Sequence, residues 1–238
     1  MKSVYFVLLL ITGFRAFSQQ QPYKYQIEVQ YKLTSQPDST DKQSIKEEFV
    51  SLLIGDAQSL YCATNYLVVD SATTAELSKG NSFGPPMTFF AEHGTKNLLV
   101  VFKDTTSTIT VDCASKFLIQ PMFYKEPKSP FTWTILEDTL SIGGIHCQKA
   151  TTDFGGRKWE AWFAPSIPIS EGPYKFSGLP GLILKVNDTQ HYWNFDLASI
   201  KNANKNISIL FWNKTPQPVK NKEAFFRKRN TTGIIVFS

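Results

Sequence analysis

Residues 23–33, YKYQIEVQYKL, alternate without a break. Tyr23, Tyr25, Ile27, Val29, Tyr31 and Leu33 fall on one side, and Lys24, Gln26, Glu28, Gln30 and Lys32 on the other. A period of two suits an extended strand, whose successive side chains point to opposite faces, and does not suit a helix. The run therefore predicts an antiparallel strand with one buried face and one wet face. The rest of the chain has to supply its partners.

Short β-prone runs follow throughout. Phe49–Ile54 and Leu60–Val69 read as strands around the turn formers Gly55-Asp56. Residues 71–86 read as a loop, with one helical turn near Ala75–Lys79. Met87–Glu92, Asn97–Lys103, Thr108–Cys113 and Phe117–Tyr124 read as a meander, and Lys125–Pro130 as a proline-bounded linker. Phe131–Glu137, Ile145–Phe154, Arg157–Phe163, Leu182–Asn187 and Tyr192–Ala198 complete the set. Helical periodicity is visible only in the last thirty residues, at Asn221–Arg229. Strands spaced by about 8 to 12 residues, with Gly or Pro turns, define an open sheet, sandwich or barrel. The expected architecture is mainly β, a single antiparallel sheet domain over residues 19–238. Its form is an open barrel or a strongly curved half-barrel, lipoprotein-carrier-like or lipocalin-like by fold analogy.

Residues 1–18 carry the marks of an export signal. Lys2 precedes an apolar stretch from Val4 to Phe14, and Ala16-Phe17-Ser18 ends it with small residues. Such a segment is too short to span a membrane and is removed on export, leaving Gln19 first. Nothing downstream has the 18 or more apolar residues of a transmembrane helix. The expectation is an exported chain in the periplasm, on the outer-membrane surface or outside the cell. An oxidising compartment permits one disulfide among Cys62, Cys113 and Cys147 and leaves one thiol; the spacing does not choose the pair.

Charge is unevenly placed. From Lys201 onward there are eight basic residues and one acid, Glu223. This basic C-terminal segment reads as a solvated tail able to meet an anionic surface. Nucleic acid is not an expected partner of an exported chain.

Catalytic signatures are absent. There is no G-x-S-x-G, phosphate-binding loop, H-E-x-x-H or C-x-x-C. Asp153-Phe154-Gly155 copies a kinase magnesium motif in letters only, without the loops that give it meaning. His93, His146 and His191 are scattered, and His146 and Cys147 point to opposite faces of a strand. No catalytic residue, metal ligand or cofactor site is assigned.

The most constrained segment is 149–188. Gly155-Gly156 supplies a positive-φ turn between strands, and the return strand sets Trp159, Ala161 and Phe163 against Lys158, Glu160 and Trp162. Pro165, Pro168 and Pro173 stiffen the following loop. Pro180-Gly181 then suits a type II turn, with Gly181 taking the positive φ, before Leu182-Ile183-Leu184 enters a buried strand. Gly178, Leu179, Pro180, Gly181 and Leu182 are thus expected to form a structural corner. Arg157, Trp159, Trp162, Tyr174 and Phe176 are the candidate binding residues of an aromatic face.

Phe154-Gly155-Gly156-Arg157, Ala161-Trp162-Phe163, Ile167-Pro168-Ile169, Gly172-Pro173-Tyr174-Lys175-Phe176 and Gly178-Leu179-Pro180-Gly181-Leu182-Ile183 resemble the GLPGLI family over roughly residues 130–190. The family commonly has Arg where Gly156 stands here. The resemblance implies a secreted envelope protein of Gram-negative bacteria with no established activity. Similar regions stand at the front of a glycan-cleaving amidase. The family supplies no catalytic residues to carry over.

Two functional classes follow. One is a binding or accessory module for an outer-membrane protein, lipid or glycan. The other is a hydrolase of envelope or host glycans or peptides, with a carboxylate or histidine site that the sequence does not display. A pocket with two carboxylates 5–10 Å apart would favour the hydrolase.

Overall fold

A computed structural model describes residues 23–81, 84–95, 97–113, 121–128, 131–207 and 216–230. The export signal read at residues 1–18 lies outside the described residues. Strands β1 (Tyr23–Ser35), β2 (Lys46–Ile54) and β3 (Ser59–Ala63) lead into helices α1 (Thr64–Ser78) and α2 (Met87–His93). Strands β4 (Leu99–Lys103), β5 (Ser107–Asp112), β6 (Met122–Pro127), β7 (Thr134–Ile142), β8 (Ile145–Phe154), β9 (Arg157–Ala164), β10 (Leu182–Asp188), β11 (Trp193–Ile207) and the two-residue β12 (Gln217–Pro218) follow, then α3 (Lys222–Asn230). All the strands join one open sheet in the order β12-β6-β5-β4-β3-β2-β1-β11-β10-β9-β8-β7. The pairing is antiparallel except between β12 and β6.

The alternating strand β1 is the hub, paired with β2 on one side and along nearly its whole length with β11 on the other. Its apolar side enters the main core, where Val29, Tyr31 and Leu33 meet Leu52, Tyr61, Val101, Phe163 and Phe195. Its other side is only partly wet, which corrects the simple two-face expectation. There a second core of Leu53, Leu60, Cys62, Val100 and Val111 packs with Tyr66 and Leu67 of α1. Glu28 on that side is buried, taking hydrogen bonds from Ser51 (3.1 Å) and Lys205 (2.7 Å), with Lys201 3.5 Å away.

Several expectations are corrected. The run read as strand through Val69 becomes helix at Thr64, and the loop read at 71–86 is helical to Ser78. The apolar residues of α1 follow no helical stripe, so the sequence hides it. Within it the hydroxyls of Thr73 and Thr74 are satisfied by donating to the carbonyls of Val69 and Asp70, both at 2.8 Å. Met87–Glu92, read as strand, lies in α2. The linker read at Lys125–Pro130 is strand to Pro127, and the strand read from Phe131 starts at Thr134. The tail read from Lys201 begins as the outer half of β11, because ladder pairing to β1 needs backbone rather than apolar side chains. Residues 117–120 of another predicted strand lie outside the described residues. All three cysteines are buried free thiols; Cys62 and Cys113 sit in the second core and Cys147 in the first.

The sheet is curled around the loop 165–181. Lys175 bonds to Tyr124 and Glu126 of β6, while the next residue, Phe176, packs its ring 4.8 Å from Trp159 of β9. In a flat sheet β6 and β9 would be eight strand spacings apart, about 38 Å. Adjacent residues reach both only if the sheet bends back on itself. Phe176 is fully buried, and truncating it to Ala would cost about 3–5 kcal/mol.

Candidate functional site

Two ion pairs anchor the central loop to the sheet. Lys103 of β4 is fully buried and donates to Glu171 Oε2 (2.5 Å), Gly172 O (2.9 Å) and Phe176 O (3.2 Å). Those three acceptors satisfy its ammonium. Glu171 also accepts from Ser59 (3.0 Å) and Lys128 (3.1 Å). Burial pushes the Glu171 carboxyl up, but Lys103 and then Lys128 outweigh it and hold the group below the usual carboxylate range. Burial pulls the Lys103 ammonium down, partly offset by Glu171. The second pair joins Lys175 to Glu126, and burial again lowers the lysine against the pull of its partner. A general acid needs a raised carboxyl pKa, which is the opposite of Glu171.

Two clefts open beside this loop. The larger, about 670 Å³, runs between the β2–β3 turn, the β4–β5 turn and residues 168–178. Its carboxylates are engaged. Asp104 accepts from Thr106 and Ser107, Asp56 from Gln26, and Glu171 from the two lysines.

The second cleft, about 560 Å³, forms where residues 131–134, leading into β7, cross the β8–β9 hairpin. Phe131 and Phe154 supply apolar surface, their ring centroids 4.9 Å apart in an edge contact. Thr132, Thr134, Thr151 and Thr152 line it, with Asp153 and Lys158. Register makes this set: Thr134 stands opposite Thr151, and Asp153 opposite Lys158. Thr152 donates to the Thr132 carbonyl at 2.9 Å, pinning the crossing segment. Among the described residues the hydroxyls of Thr132, Thr134 and Thr151 have no partner. Gly155 and Gly156, at φ 60° and 72°, make the tight turn that brings Phe154 and Lys158 to the same end.

The five candidate binding residues separate. Trp159, Tyr174 and Phe176 are at most 2% exposed and pack with Phe131, Phe154 and Trp133 as core. Arg157 bonds to Asp188 at 2.9 Å and lies 5.7 Å from the Tyr192 ring. Trp162 is half-buried on the opposite face, with Lys149 5.7 Å from its ring. None of them lines either cleft. In the corner motif, Leu179 and Leu182 are core and Pro180 is exposed. The positive φ belongs to Gly178 (96°) and not to Gly181, so the type II turn expected there does not form. Gly181 is required for space instead, since a Cβ would lie 2.2 Å from Ala164 O.

The threonines escape sequence reasoning because no motif joins 132–134 to 151–152; only strand register does. The one available signal is Phe154, already part of the hairpin motif. Among the described residues no group of three or more His, Cys, Asp or Glu could hold a metal. Nor is any described helix long and apolar enough to cross a membrane.

A family model described as "Protein of unknown function (Porph_ging)" matches residues 155–185. It falls on the segment that carries the GLPGLI resemblance and does not bear that name. No curated protein matches the chain. Solved structures of PNGF-II in two crystal forms are similar, each with a TM-score of 0.57, at 11% and 13% identity. The match covers 86% of this chain and 32% of PNGF-II, so the chain spans about a third of that protein's length. At such identity the likeness is one of fold.

Proposed function

We propose that this chain is a binding module whose ligand is a polyhydroxylated one, an envelope glycan, held in the cleft of Phe131 and Phe154. The observation that carries the reading is the lining itself: two phenyl rings beside three threonine hydroxyls that have no partner among the described residues, with one aspartate and one lysine. A sugar offers the same mixture, an apolar C–H face edged with hydroxyls. The volume lies within the range of small-molecule sites. A lipid chain would be matched by a continuous apolar channel, and these walls carry hydroxyls and charge.

The hydrolase reading draws less support. Burial raises the Glu48 carboxyl against the hydrogen bond from Thr95, but Glu48 lines neither cleft.

Calorimetric titration of chitotetraose, maltotetraose and methyl-esterified tetragalacturonate tests the reading. At least one should bind, and the Thr134→Val/Thr151→Val variant should bind it about tenfold more weakly, because two hydroxyl hydrogen bonds to the sugar are removed at near-constant shape. Unchanged affinity in that variant, or no binding of any of the three or of their acidic counterparts, sinks the proposal. Export belongs to the same reading. Protein recovered from a Gram-negative envelope should begin at Gln19, and an intact Met1 would refute this.

A further inference from the structure

We infer that the sugar this cleft selects is acidic, carrying a carboxylate or a phosphate, with Lys158 and Lys222 as the groups that recognise the anion. The inference rests on the cleft being a sugar site and adds the charge class of the ligand.

The basic segment and the hairpin motif, some sixty residues apart in sequence, meet here. Helix α3 is capped by Asn221, whose side chain accepts from Ala224 N at 3.0 Å, and is anchored by Phe225. Phe225 is fully buried, its ring 4.7 Å from that of Tyr124 on β6. The anchoring sets Lys222 Nζ 5.5 Å from the centroid of the Phe154 ring, one of the two rings that line the cleft. Lys158, exposed, lines the cleft itself.

Elsewhere on the sheet most lysines are matched, although Lys24, Lys46 and Lys125 make no ion pair among the described residues. Lys32 pairs with Glu47, Lys149 with Glu160, Lys185 with Asp196, and Lys201 and Lys205 with Glu28. Among the described residues neither Lys158 nor Lys222 makes an ion pair. Asp153 is the one carboxylate in the lining, and it stands opposite Lys158 in register without closing to ion-pair distance. The cleft therefore has surplus positive charge beside an apolar floor, and an anionic ligand group would complete it. In a half-screened site two such interactions raise affinity by about tenfold and weaken with salt.

The test uses ligand pairs of like shape and different charge on the full chain: tetragalacturonate against its full methyl ester, and phosphorylated against plain maltotetraose. In low salt the acidic member of at least one pair should bind about tenfold tighter, with the gap shrinking in high salt. Lys158→Gln/Lys222→Gln should bind both members of that pair alike. Preference in the first pair alone names carboxylate as the anion, and in the second alone phosphate; either upholds the inference. Equal binding within both pairs by the wild type overturns it while leaving the sugar reading intact. Binding of none of the four, nor of chitotetraose, overturns the sugar reading and this inference with it. The wild-type comparison stands even if the double variant misfolds.

Discussion

Single residues show how a motif can be read for the right importance and the wrong reason. The sequence flags Pro180-Gly181 as a turn requiring positive φ, yet Gly178 takes the left-handed conformation while Gly181 makes room for Ala164 O. Gly181→Ala should therefore destabilise by about 2–4 kcal/mol in urea unfolding, because backbone must move to admit a methyl group. A loss below about 0.5 kcal/mol, the scale of an ordinary surface change, would show that the contact relaxes freely. Trp159, Tyr174 and Phe176 teach the same lesson. Aromatic composition marks them as special, and packing around the central loop makes them core rather than contact surface.

At the level of elements, the two edges of the sheet are treated differently. One ends in β12, two residues long and containing Pro218, which has no ladder donor. The other is β7, nine residues, with Ile135 and Leu140 more than 40% exposed. Its pairing jumps from Ile135↔Ala150 to Thr139↔Gln148, so Leu136, Glu137 and Asp138 bulge opposite Lys149. A bulge carrying two acids blunts an edge that would otherwise template another strand. Glu137→Val/Asp138→Val should give concentration-dependent association in sedimentation velocity beyond that of the wild type. Matching distributions for the two proteins would mean the acids do not guard this edge. The strands of the β8–β9 hairpin are legible in sequence because their turn, Gly155-Gly156, is local. Helix α1 is not, because its β-branched residues are held helical by contact with the sheet beneath it.

Across the whole molecule, buried or well-bonded carboxylates tie distant strands together and set the acid response. Desolvation pushes Asp104 up, but hydrogen bonds from Ser107 and Thr106 outweigh it and hold the group at about 2. Glu28 and Glu171 are likewise held low against desolvation by their lysines. A carboxyl lowered in the folded state adds stability above its unfolded pKa of about 4, and that stability is lost as pH falls through the folded value. Glu48, raised by burial, works in the opposite sense. With these three lowered, and exposed Asp38, Glu47 and Glu76 lowered by their hydrogen bonds, against one raised, Tm should hold between about pH 7 and 5 and fall between about pH 4 and 2. Asp104→Asn should flatten the lower part of that fall. A wild-type Tm constant down to about pH 2 would contradict the assignment.

By itself the sequence determined that this chain is a β protein, since alternation and glycine turns are local constraints that each strand meets alone. It also marked the 149–188 hairpin and corner as the segment with least freedom. The curl of the sheet, the conversion of 64–78 to helix, and the meeting of Phe131, Thr134, Thr151 and Lys222 in one place were decided by tertiary structure. They depend on which strands pair and on a central loop that touches both β6 and β9. Proximity between residues far apart in the chain leaves no periodicity to read.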